Sequence, residues 1–115
     1  MPFFRTIVED YEAWLEPCTL GSHTQRARGK VERERFGNGE EEFELRFRRL
    51  HVPDGAVVEV VVGARVLGSV TVARGRGKLL LTNKGGAEVP SVAAGEVVEV
   101  RHMGFPLLRG TFRED

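Results

Sequence analysis

The sequence predicts a mainly β protein, an antiparallel β-sandwich preceded by one short amphipathic helix. Three observations carry this prediction. Phe43, Leu45 and Phe47 alternate with Glu42, Glu44, Arg46 and Arg48, as in a strand with one buried and one wet face. Valine- and leucine-rich runs over residues 55–113 are broken by glycine-marked turns. At the N-terminus, apolar residues recur at intervals of three and four. The chain has 115 residues, enough for one domain with its own core and no obligatory disulfide or metal. It divides into a helix and linker, residues 1–27, and an antiparallel β domain, residues 28–115.

The helix is predicted over residues 7–16. Phe4, Ile7, Val8, Tyr11, Trp14 and Leu15 fall on one helical face, Thr6 and Glu9 make a capping box, and Pro17 marks a stop. Ten residues do not hold a helix in water without packing. Ile7, Tyr11, Trp14 and Leu15 are therefore the expected interface, docked on the domain's own sheet or on a second copy. Residues 17–27 lack either periodicity and read as a linker.

Gly37-Asn38-Gly39 signals a hairpin between residues 28–36 and the alternating segment. A two-residue loop would set Glu34 opposite Phe43, whereas a three-residue loop sets Val31 opposite Leu45 and Gly29 opposite Phe47. The buried face selects the latter. The same parity test, with Val58, Val60 and Val62 inward, predicts a three-residue loop at Gly63-Ala64-Arg65 that brings Val66, Gly68, Val70 and Val72 inward. A further hairpin on Gly75-Arg76 matches Val70 and Val72 to Leu81 and Leu79. The predicted core is Val60, Val70, Leu79, Leu81, Val98 and Val100. Val57, Val61, Leu67 and Leu80 point the other way, a face the helix could cover.

The segment GAVVEVVVGARVLGSVTV from Gly55 resembles GEVVEVRHMGFPLLRGTF from Gly95, which predicts two related hairpins facing each other across a core. Taken together, LHVPDGAVVEVVVGARVLGSVTVARGRGKLLLTNKGGAEVPSVAAGEVVEV resembles a small bacterial immunoglobulin-like β-sandwich domain of uncharacterised function. The resemblance covers roughly residues 42–113. It implies a scaffold and transfers no catalytic residue.

Seventeen basic and seventeen acidic residues cancel, so any nucleic-acid binding needs a local patch. Arg26, Arg28 and Lys30 with Arg46, Arg48 and Arg49 fall on adjacent predicted strands. Arg46, Arg48, Arg74, Arg76 and Lys78 are the candidate anion or nucleic-acid contacts, interrupted by Glu32, Glu42 and Glu44. The Arg74–Lys78 glycine-rich run lies where a hairpin turns and is not followed by a Walker-type lysine.

Cys18, His23, His51 and His102 lack metal-ligand spacing, Ser22, Ser69 and Ser91 lack a nucleophile elbow, and Cys18 has no neighbour to activate it. No catalytic, cofactor-binding or metal residue is therefore expected, and no enzyme. One cysteine makes no intramolecular disulfide, and no apolar run approaches membrane-spanning length. The expectation is a cytoplasmic binding or assembly module with no membrane partner. It is expected to self-associate through the N-terminal helix or an edge strand, or to bind another protein; the alternative is a small nucleic-acid-binding β domain.

Overall fold

A computed structural model describes residues 6–18 and 26–115. The described residues form nine strands: β1 (Ile7–Pro17), β2 (Arg28–Phe36), β3 (Glu41–Arg48), β4 (Val57–Val62), β5 (Arg65–Thr71), β6 (Gly77–Thr82), β7 (Val97–His102), β8 (Phe105–Thr111) and β9 (Arg113–Glu114). All pairings are antiparallel, in the order β5-β4-β7-β8-β1-β2-β3-β6, with β9 on β1. The result is one continuous sheet curled into a nearly closed barrel, its seam lying between the two ends of that order, β5 and β6.

The predicted helix is a strand. Residues 7–17 pair with β2 along nearly their whole length, with β9 at Tyr11 and Glu12, and with β8 at Glu16 and Pro17. The apolar residues satisfy helical spacing, but Tyr11, Ala13 and Leu15 also alternate, and it is these that meet the core. A strand with partners on both sides satisfies its backbone groups through the ladder, whereas a ten-residue helix gains too little locally to compete. Of the predicted interface, Leu15 is fully buried and Tyr11 partly so, while Ile7 and Trp14 are exposed. The proposed linker falls largely outside the described residues; Ala27, at its end, is a core residue.

Strand β1 carries the sheet from one side of the barrel to the other, and two glycines make the passage possible. A Cβ on Gly29 would lie 2.8 Å from the Leu15 side chain, and one on Gly110 would be driven into the Trp14 carbonyl. Both flank the same two residues of β1, where the walls close most tightly.

The β2–β3 hairpin has the three-residue loop and the register predicted, Val31 opposite Leu45 and Gly29 opposite Phe47. The β4–β5 turn is shorter than predicted. Gly63 and Ala64 alone make it, Val62 pairs with Arg65, and a bulge then restores the expected pairing of Val60 with Gly68 and Val58 with Val70. Val66 is consequently turned outward and exposed.

The β5–β6 hairpin does not form a ladder. After the Ala73–Arg76 bridge the chain crosses the seam, and β6 pairs with β3 at the other end of the sheet, placing Leu81 opposite Phe43 and Leu79 opposite Leu45. Leu79 and Leu81 are therefore partly buried residues of an edge strand, while Val60, Val70, Val98 and Val100 are core. No helix covers the outer face among the described residues: Val57 and Leu80 are exposed, and Leu67 packs partly against the core.

The two similar segments are the hairpins β4–β5 and β7–β8. They lie side by side in the sheet instead of facing across the core, because β4 pairs with β7. At the end of the barrel near the β2–β3 turn, Arg33 projects inward between Tyr11 and Phe43 and is buried. It donates to the carbonyls of Val89 and Pro90 and pairs with Glu41, fixing the 83–96 connection over that end.

Candidate polyanion-binding face

The register of β1, β2, β3 and β6 arranges their outward side chains in cross-strand rows. Trp14, Lys30, Arg46 and Lys78 are successive partners and form one row. The next row towards the barrel end contains Arg28 opposite Arg48, with Arg76 immediately before Gly77, the partner of Phe47. An open groove of about 730 Å³ lies here, lined by Trp14, Arg28, Lys30, Arg46, Arg48 and Arg76.

Trp14 is 55% exposed, with the Lys30 ammonium 4.7 Å from its ring centroid, so an aromatic surface and a cation are presented together. Lys30 is also held by Glu32 at 2.9 Å, and Arg46 and Lys78 share Glu44 at 3.2 and 3.5 Å. The Glu32 carboxylate raises the pKa of Lys30 and keeps it charged. Arg48 and Arg76 have no carboxylate partner among the described residues.

Four of the five predicted anion contacts thus share one face: Arg46, Arg48, Arg76 and Lys78. Arg74 stands apart. Its backbone N–H donates to Asp54 at 2.7 Å, and it lines an adjoining cleft with Arg26, Arg49 and His51. Trp14 and Lys30 were assigned to different roles by the sequence and meet because β1 is a strand. Trp14 as a groove residue was not legible while it sat on a predicted helix.

The other half of this face is acidic. Glu12, Glu32 and Glu44 form one row, and Asp10, Glu34 and Glu42 the next. Burial, then Asp115, Glu32 and Glu12, push the Asp10 carboxyl up; burial, then Asp10, Glu32 and Glu42, do the same to Glu34. Both shifts mean that the ionised cluster opposes folding at neutral pH and that protonation relieves it. Asp10 Oδ1 is buried without a hydrogen-bond donor among the described residues.

Elsewhere, burial pushes the Cys18 thiol up, away from a reactive thiolate. Among the described residues Cys18, His51 and His102 join no group of three potential metal ligands. His23 and Ser22 lie outside the described residues. Ser69 and Ser91 are exposed, and Glu40, Glu41 and Glu42 follow the β2–β3 turn, where Glu41 is engaged by Arg33. No described helix is long and apolar enough to cross a membrane. Compared with protein-family models and with curated proteins, the sequence matches none.

Proposed function

We propose that this protein is a non-catalytic binding module that holds a flexible polyanion, single-stranded nucleic acid, along the basic half of the β1-β2-β3-β6 face. The observation that carries the reading is the row Trp14–Lys30–Arg46–Lys78 beside Arg28, Arg48 and Arg76. A cationic groove with an exposed aromatic follows a phosphate backbone while a base stacks, and it needs no sequence-specific donors. The zero net charge is compatible with this because the cations are concentrated on part of one surface.

The sequence likeness to small bacterial immunoglobulin-like domains supports a scaffold whose wet strand faces carry contacts. Self-association through an N-terminal helix is replaced by other routes, since Ala13 and Leu15 belong to the core. The surfaces left for it are the charged face and the edge strands β5 and β6, which expose Val66 and Leu80.

The test is titration of a labelled single-stranded oligonucleotide of roughly twelve nucleotides at increasing salt. With about four phosphates neutralised, affinity should fall about 50-fold between 50 and 200 mM salt. Trp14→Ala should weaken binding about tenfold through lost stacking. Affinity that is indifferent to salt, or unchanged in the double variant Arg48→Ala/Arg76→Ala, overturns the reading.

A further inference from the structure

Strands β2 and β3 carry a charge pattern that inverts about one rung, the pair Val31–Leu45. One residue to either side, Lys30 and Arg46 face Glu32 and Glu44 across the rung. Three residues to either side, Arg28 and Arg48 stand against Glu34 and Glu42. A two-fold axis lying along this rung, in the plane of the face, exchanges the two halves and brings each of the β2 and β3 cations Arg28, Lys30, Arg46 and Arg48 of one copy over a carboxylate of the other. We infer that the face is self-complementary, and that two copies of this chain dock face to face with the basic half of each on the acidic half of the other.

The inner rows on either side of the rung already neutralise each other within the chain, through Lys30–Glu32 and Arg46–Glu44. The outer rows lie too far apart along the strands to neutralise each other in this way. Arg48 and Arg76 have no carboxylate partner among the described residues, and at the opposite end Asp10 and Glu34 of the outer row crowd to within 4.8 Å of each other and of Glu32 in the inner row. Six residues separate Arg48 from Glu42, about 20 Å of strand, too far for one chain's side chains to close the gap but spanned by a rotated second copy. The zero net charge leaves no overall repulsion to oppose the approach.

This goes beyond nucleic-acid binding and does not depend on it, but it has a consequence for it. The acidic half of the second copy occupies the cations that a polyanion needs, so a polyanion and the second copy compete.

The full chain should sediment as a dimer at about 20 mM salt and shift to a monomer at about 500 mM, because contacts between exposed charges are screened. The double variants Arg48→Glu/Arg76→Glu and Glu34→Lys/Glu42→Lys should each be monomeric alone, with unchanged circular dichroism, since these side chains lie outside the core. Mixed in equal amounts they should sediment as a one-to-one heterodimer, one face being predominantly acidic and the other predominantly basic. A parent that is monomeric at both salt concentrations overturns the inference. So does a dimer that survives in both variants, which would place the contact on an edge strand. Retained oligonucleotide binding by Glu34→Lys/Glu42→Lys separates failure of this inference from failure of the nucleic-acid reading.

Discussion

The hairpins β4–β5 and β7–β8 share a backbone to the level of single hydrogen bonds while doing different work. Every pairing in the first recurs forty positions later in the second. Val58–Val70 matches Val98–Gly110, Val60–Gly68 matches Val100–Leu108, and both ladders slip by one residue directly afterwards, at Val61–Val66 and Arg101–Pro106. Gly55 donates to Val72 and Gly95 to Phe112, each at 2.8 Å. Val60 and Val100, counterparts of each other, pair across the β4–β7 ladder, so the two hairpins are related by a local two-fold. Neighbours differ, however: β5 is an edge, whereas β8 adjoins β1. The substitutions between the copies follow from that difference, which separates what the shared backbone demands from what position in the barrel demands.

The sharpest difference is Gly110, where the first copy has Val70. Val70 reaches across the seam towards Gly77, but a side chain on Gly110 has no space beneath Trp14 and Leu15. Transplanting the first copy's residue, Gly110→Val, should destabilise by about 3 kcal/mol through overpacking against backbone that has no room to give. Urea denaturation checks this. An effect under about 0.5 kcal/mol would mean that β1 is not held against β8 at this point.

A second contrast separates Glu99 from its counterpart Glu59. Glu59 is exposed, whereas Glu99 is buried and accepts hydrogen bonds from both Arg101, at 2.6 Å, and Arg109. Burial alone pushes the Glu99 carboxyl up, but the two guanidiniums outweigh it and hold the group below its ordinary range. Its folded pKa being depressed, the contribution to stability is present above the unfolded carboxylate value and is lost as pH falls through the folded one, below about pH 4. With both arginines partly exposed and screened, Glu99→Ala should cost about 1–2 kcal/mol at pH 7, and Glu59→Ala less than about 0.5. The Glu99 difference should shrink in denaturation at about pH 3. Equal costs for the two substitutions would remove the distinction between the copies.

Which parts of this were legible follows from how far each residue's partner lies along the chain. The β2–β3 register could be read because loop length and inward parity constrain each other locally. The repeat was visible as G-x-V-V-E-V, yet nothing in it says that β4 and β7 pair with each other. Leu79 and Leu81 fit Val72 and Val70 as well by parity as they fit Leu45 and Phe43, so alternation alone could not show that β6 leaves its hairpin for β3. β1 was misread for the same reason: its partners begin at Gly29 and Leu108, and without them a capping box and three-four spacing favour a helix. Arg46 and Arg48 could be named from strand alternation and Arg76 and Lys78 from the glycine-rich turn run beside them, whereas the place of Trp14 in the patch depended on β1.

The smallest difference concerns the turns. At their first positions the twin hairpins have Gly63 and Met103, both with positive φ, 60° and 52°. Glycine adopts this conformation freely and methionine does not, since its Cβ crowds the backbone. The Met103 side chain returns little for that strain, being 84% exposed. Restoring the first copy's residue, Met103→Gly, relieves the backbone but gives the unfolded chain more freedom to lose. At a left-handed position the first effect outweighs the second, so a gain of about 0.5 kcal/mol is expected, read as a rise in melting temperature of about 2–4 °C. The mirror substitution, Gly63→Met, should cost a similar amount, because the two turns share their register and bulge. If both substitutions destabilise, Met103 is held by contacts that Gly63 does not need, and the equivalence of the hairpins ends at their tips.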